Sequence, residues 1–122
     1  MVKILLVMIG AGLGGGLRCW ISSVSYKVLP PYFPYGTLIV NIFGSIILGF
    51  LIFALDEKEL LGDRLKLLLA VGFCGGLTTF STFSLETINL LRDSEFLFAF
   101  LNILLNVVLT FIGIYIGYII AR

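Results

Sequence analysis

Four stretches of this 122-residue chain, about 4–24, 36–55, 66–91 and 96–120, run for twenty residues or more with little charge. A helix needs roughly 20 apolar residues to cross the hydrocarbon core of a bilayer. In lipid every backbone N–H and C=O must find a partner inside the protein, and runs of this length achieve that as helices. The connections are short. Pro30, Pro31 and Pro34 lie in the first, DEKELLGDRLK (56–66) is the strongly charged second, and Arg92-Asp93-Ser94-Glu95 forms the third. A hydrophobic share of 60% and a mean hydropathy of +1.16 leave too little polar surface for a soluble domain. The expected fold class is an all-α integral membrane protein with four transmembrane helices, a single membrane domain over residues 1–122. The start, MVKILLVMIGAG, has the Lys3 and small residues of a signal peptide. Its apolar pattern continues past Gly10 to Trp20, so a retained helix is expected.

The same composition removes several function classes. A net charge of +1 without a basic patch supplies no electrostatic term for nucleic acid, so no nucleic-acid partner is expected. There is no His, and Cys19 and Cys74 lie in apolar segments without neighbouring ligands. They read as small buried hydrophobes rather than as redox or metal groups.

An even number of spans puts both termini on one side, with Lys3, Lys58, Arg64, Lys66 and Arg122. The other side has Lys27, Arg92 and Arg18. Basic residues in short loops orient a membrane protein, and five against three is a weak bias. The chain is therefore expected to insert both ways and to work as an antiparallel, dual-topology homodimer. Four short helices alone also make a poor pathway. Gly12, Gly16, Gly44, Ser45 and Gly49 allow close helix approach, within a subunit or between two.

Polar groups at membrane depth are costly and usually face a cavity, a pathway or one another. On the second span GTLIVNIFGS (36–45) puts Thr37, Asn41 and Ser45 at i, i+4 and i+8, on one helix face. The fourth span repeats this with Asn102, Asn106 and Thr110. Each stripe can be hydrogen-bonding glue between helices or the wall of a pathway, and spacing leaves both open. Amides and hydroxyls suit an ion needing donors, or water, better than a proton relay, which needs titratable groups. Glu86 is the one acid near membrane depth.

The third span contains GGLTTFSTFSLE (75–86). Gly75-Gly76 followed by Thr78-Thr79 is poor helix material, so a break near the middle of this helix, between Gly75 and Thr79, is expected. Unwound backbone at this depth lines a cavity or is buried in protein, and its carbonyls can coordinate a cation such as Na⁺. Phe80 and Phe83 follow on one face with Ser81 and Thr82 between them, and Thr82 and Glu86 share another. The edge of an aromatic ring is positive, so two rings edge-on can line a path for a small anion; core packing is the commoner role of Phe. Arg18 can snorkel to the interface or sit in a wet vestibule and concentrate anions.

GAGLGGGLR (10–18), GTLIVNIFGS (36–45) and GGLTTFSTFSLE (75–86) together resemble the Fluc family of fluoride channels, also called CrcB. The resemblance covers three of the four spans, with their order, spacing and total length. It implies an antiparallel dimer with two pores, through which fluoride leaves the cell passively, lowering cytoplasmic fluoride and giving resistance to it. The implied location is the inner (plasma) membrane. The family's paired phenylalanines fall on Phe80 and Phe83 and its pore asparagine on Asn41. Its hydroxyl track falls on Ser81 and Thr82, with Glu86 at the end of the same helix, and its vestibule arginine on Arg18. A structural Na⁺ at the dimer centre would be held by backbone carbonyls of Gly75 and Thr78 from both subunits. Thr37, Asn102, Asn106 and Thr110 join the pathway on the strength of their stripes; the family's fourth-span pattern differs at Asn102. Fluoride is small and strongly hydrated, and several weak donors can replace its shell without trapping it.

The main rival is a small multidrug exporter, also built of four short helices. Its proton exchange needs a carboxylate in the first span, which here carries Arg18 and no acid. A non-transporting assembly subunit would lack connected polar stripes. Neither rival is an enzyme, and no catalytic residue is expected.

Overall fold

The computed structural model describes the whole chain, Met1–Arg122. It is all helical, and four helical segments are long and apolar enough to cross a membrane: Val2–Val28, Tyr35–Asp56, Asp63–Arg92 and Phe96–Ala121. These overrun the expected spans by a few residues, because helices continue to the loop residues that terminate them. We label them α1 (Val2–Val28), α2 (Tyr35–Asp56), α3 (63–77), α4 (Ser81–Arg92) and α5 (Phe96–Ala121). Leu51–Asp56 at the end of α2 and Lys66–Cys74 in α3 widen to π-type turns. These wide turns face each other around the buried Leu51, Leu61, Ala70 and Cys74.

Two of the turns close in the same way. Glu59 and Ser94 adopt left-handed conformations, each at φ 58°. After α4, the Glu95 N–H donates to the Leu90 carbonyl (2.8 Å) and the Ser94 N–H to the Leu91 carbonyl (3.1 Å). After α2, the Leu60 N–H reaches the Leu55 carbonyl at 2.7 Å and the Glu59 N–H the Asp56 carbonyl at 3.0 Å. This paired closure satisfies carbonyls that a helix end leaves free. The charged loop is also tied down. Lys66 pairs with Asp56 at 3.0 Å, and the Lys58 Nζ donates to the Ala121 carbonyl at the end of α5, 2.7 Å away.

Inside the bundle α1 lies on α3, α2 lies on α5, and α4 leans on α5. The α1–α3 seam is backbone on backbone. A methyl group at Gly76 would stand 2.8 Å from the Ala11 Cα, and one at Gly10 would stand 2.8 Å from the Phe73 nitrogen. Gly12 and Gly16 have nothing within 4 Å. Of the small residues expected to permit close approach, Gly44 and Gly49 do so inside the subunit, against Thr78 and Ile114, while Gly12 and Gly16 face outward.

Two expectations are corrected here. Gly75, Gly76 and Leu77 stay helical; the backbone leaves the helix at Thr78 (φ −88°, ψ 159°), and α4 begins at Ser81. Glycine costs a helix about 1 kcal/mol relative to alanine, and the contact of Gly76 with Ala11 of α1 offsets it. The second correction concerns Cys19, which is exposed, whereas Cys74 is buried. Cys19 lies next to the exposed Trp20 on α1, among the many outward-facing apolar residues of the bundle.

Candidate functional site

A groove of about 510 Å³ opens between α2, α3, α4 and α5, around the residues that follow Leu77. It gathers Asn41, Gly75, Thr78, Phe80, Phe83, Asn106 and Thr110. Of the residues singled out in the sequence, Arg18, Thr37, Ser81, Thr82, Glu86 and Asn102 lie outside its walls. Phe80 and Phe83 face each other with ring centroids 5.4 Å apart and planes at 56°. Their environments differ sharply: Phe83 is 8% exposed and Phe80 78%. Phe80 therefore projects away from its own subunit.

Asn41 grips the segment between α3 and α4. Its Oδ1 accepts the Thr79 N–H at 2.8 Å, and its Nδ2 donates to the Thr79 carbonyl at 3.2 Å. The second Nδ2 hydrogen goes to the Asn106 Oδ1 at 2.9 Å. A non-helical residue at this depth has lost its helical partners, and the side-chain amide replaces them. The alternatives left open for the Asn41 stripe thus meet in one residue: it joins helices and lines the groove.

The fourth-span stripe extends the same network. The Asn106 Nδ2 donates to the Asn102 backbone carbonyl (2.8 Å) and to the Asn102 Oδ1 (3.0 Å). The Asn102 Nδ2 donates to the Thr87 Oγ1 at 2.9 Å, and that hydroxyl donates to the Phe83 carbonyl at 2.8 Å. The Thr110 hydroxyl returns to the Asn106 carbonyl at 2.5 Å. Thr79 and Thr87 were not singled out in the sequence. A signal for Thr87 exists: it lies four residues from Phe83 and opposite an amide stripe that needs an acceptor.

The carbonyls of Gly75 and Thr78 accept no hydrogen bond within the subunit, and both residues line the groove. The neighbouring Gly76 carbonyl is taken by Arg18, whose Nε donates to it at 3.1 Å. The Arg18 Nε is therefore directed toward α3. On α4, Thr82 receives support at its N–H from the Thr79 Oγ1 (3.2 Å), and Thr79 and Ser81 bring their hydroxyls within 3.4 Å. Glu86 faces Thr37 of α2, and its Oε1 is buried without a hydrogen-bond partner. No group of three or more His, Cys, Asp or Glu side chains converges as a metal site. The oxygens that line this region belong to backbone carbonyls, hydroxyls and side-chain amides.

Comparison with known proteins places this arrangement. The family described as CrcB-like protein, Camphor Resistance (CrcB), matches residues 5–118. A fluoride-specific ion channel FluC of Pyrococcus abyssi is 47% identical over 120 residues, covering 97% of this chain and 94% of the relative. Its namesake in Coxiella burnetii is 42% identical over 124 residues, covering 99% and 98%. That of Pyrococcus horikoshii is 46% identical over 121 residues, covering 98% and 95%. With matches that run the length of all four helical spans, the chain belongs to the CrcB family.

Proposed function

We propose that the protein is a fluoride channel that lets fluoride leave the cell passively across the plasma membrane, protecting a microbe from its accumulation. The observation that carries this reading is the groove itself. It collects two tilted phenylalanine rings, a pair of amides, the hydroxyl-bearing Ser45, Thr78, Thr79 and Thr110, and unpaired carbonyls, with no carboxylate on its wall. The names of the relatives supply the ion. The chain works in this reading as one membrane unit over residues 1–122. Two such units assemble as an antiparallel, dual-topology homodimer with two pores. The outward-projecting Phe80 supports the dimer, because a ring so exposed on the groove side needs a second surface to complete a path.

The anion path runs along Phe80, Phe83, Ser81 and Thr82, past Asn41, Asn106 and Thr110, with Thr37, Glu86 and Asn102 beside it and Arg18 at the vestibule. The interruption at Thr78–Phe80 breaks the third span and turns carbonyls toward the dimer centre. Gly75 and Thr78 fit a structural Na⁺, since their carbonyl oxygens have no donor in the subunit. Bound there, the cation would supply a fixed positive charge that neutralises carbonyl dipoles at the centre. A proton-coupled exporter of cations gains no support, because α1 carries no carboxylate.

The test is efflux from liposomes loaded with fluoride or chloride and followed with ion-selective electrodes. Fluoride leaves wild-type vesicles and chloride stays. Equal loss of both ions, or of neither, overturns the proposal.

A further inference from the structure

The hydrogen bonds from α2 to α4 form one directed chain. It begins at the backbone N–H of Thr79, which donates to Asn41. It passes through the amides of Asn41, Asn106 and Asn102 to the hydroxyl of Thr87, and ends on the backbone carbonyl of Phe83. Its two ends therefore lie four residues apart, one just before α4 and one within its first turn. Each member donates forward and accepts from behind. Backbone groups fix the polarity, since Thr79 offers an N–H and a C=O to Asn41, and the Asn102 carbonyl can only accept from Asn106. Asn102 is fully buried, at 0% exposure, and lies outside the groove.

We propose that Asn102 and Thr87 are positioning residues for α4 and do not contact the ion. Together with Asn106 and Asn41 they clamp the turn that carries Phe80 and Phe83, and so set where the two rings stand. Buried polar chains of this kind rigidify a site when every member is satisfied. The other bonds at the first turn of α4, from the Thr82 N–H to the Thr79 Oγ1 and from Ser84 to the Phe80 carbonyl, are local to the segment and do not tie it to another helix. This inference rests on the fluoride-channel reading for its functional readout. It does not rest on it for its structural one.

The experiment uses the purified full chain reconstituted in liposomes, with Thr87→Val, Thr87→Ser, Asn102→Ala and the double variant Thr87→Val/Asn102→Ala. Fluoride efflux is measured beside amide hydrogen exchange over residues 79–87. Thr87→Val and Asn102→Ala each slow efflux about tenfold and speed exchange in this segment. The double variant is no slower than the worse single variant, since both cut the same chain, and Thr87→Ser restores efflux to within about twofold. The proposal is overturned if Asn102→Ala slows efflux while Thr87→Val does not, or if the two losses multiply; either result makes Asn102 an ion contact. It is also overturned if exchange over 79–87 is unchanged in both single variants. A wild-type protein that moves no fluoride sinks the channel reading alone, and the exchange data still decide the clamp.

Discussion

The two seams of the bundle share one device and differ in a second. Between α1 and α3 the backbones touch through glycine, with a methyl at Gly76 unable to fit beside Ala11. Between α2 and α5 the backbones also touch, at Gly49 against Ile114 and Gly117 against Gly49, but α2, α4 and α5 are bridged in addition by side-chain amides and a hydroxyl, Asn41 to Asn106 and Asn102 to Thr87. Lipid tails are as apolar as leucine, so helices in a bilayer gain little from hiding hydrocarbon and associate by close packing or by hydrogen bonds. Here close packing serves both seams, and the chain of amides is added on one side only. The α1–α3 seam carries one side-chain hydrogen bond, from Arg18 to the Gly76 carbonyl, whereas the amide seam carries a network and borders the groove.

The contrast breaks most severely at Gly76. Gly76→Val forces the seam apart, and overpacking of this kind costs about 3 kcal/mol or more. The expected outcome is little monodisperse protein after detergent extraction; wild-type yield and melting temperature would show that the seam is loose. Asn41→Ala comes next. It strips partners from the N–H and C=O of Thr79, and a buried polar group left unpaired costs about 1–3 kcal/mol. The variant should assemble with a lowered melting temperature and lose fluoride efflux. Asn41→Asp keeps an acceptor but loses both donors and adds a like charge, so its efflux should be equally low.

Phe80→Ile sharpens the comparison, because it separates function from framework. With the ring 78% exposed, stability should change by no more than about 0.5 kcal/mol, as for most surface substitutions. Efflux should still fall at least tenfold. Unchanged efflux would remove this ring from the pathway. The smallest effect is expected at Gly12, where nothing lies within 4 Å. Gly12→Ala should melt within about 0.5 kcal/mol of wild type, while the same change at Gly10 should be clearly destabilising. Similar losses at both positions would mean that α1 uses a different face.

Much of the bundle is legible in the sequence, because the bilayer demands runs of a fixed length and the loops interrupt them. The stripes Thr37–Asn41–Ser45 and Asn102–Asn106–Thr110 are legible for a related reason: helical periodicity decides which residues share a face. Periodicity does not say which neighbouring helix that face meets. Gly10 and Gly14 could not be told from Gly12 and Gly16, and the spacing of Thr87 from Phe83 gains its meaning only once Asn102 is seen to stand opposite. The point at which α3 ends was misplaced by propensity. Gly75 and Gly76 are weak helix formers in isolation, yet both stay helical, Gly76 packed against Ala11 of α1, and the chain departs only at Thr78. Tertiary contact outweighs local preference there.

The directed chain from Thr79 to Phe83 also has an electrical meaning. An amide that can rotate answers a nearby charge by turning its dipole, as water does. None of these three can. Reversing any one would set donor against donor at its neighbour, and both ends are pinned to backbone groups that have no alternative orientation. The array therefore behaves as a frozen dielectric, with a field set when the protein folds. In the proposed channel, whatever adjusts to an ion as it passes must be the freer hydroxyls of Ser81 and Thr82 or the rings, and the amide wall contributes the same potential at every moment.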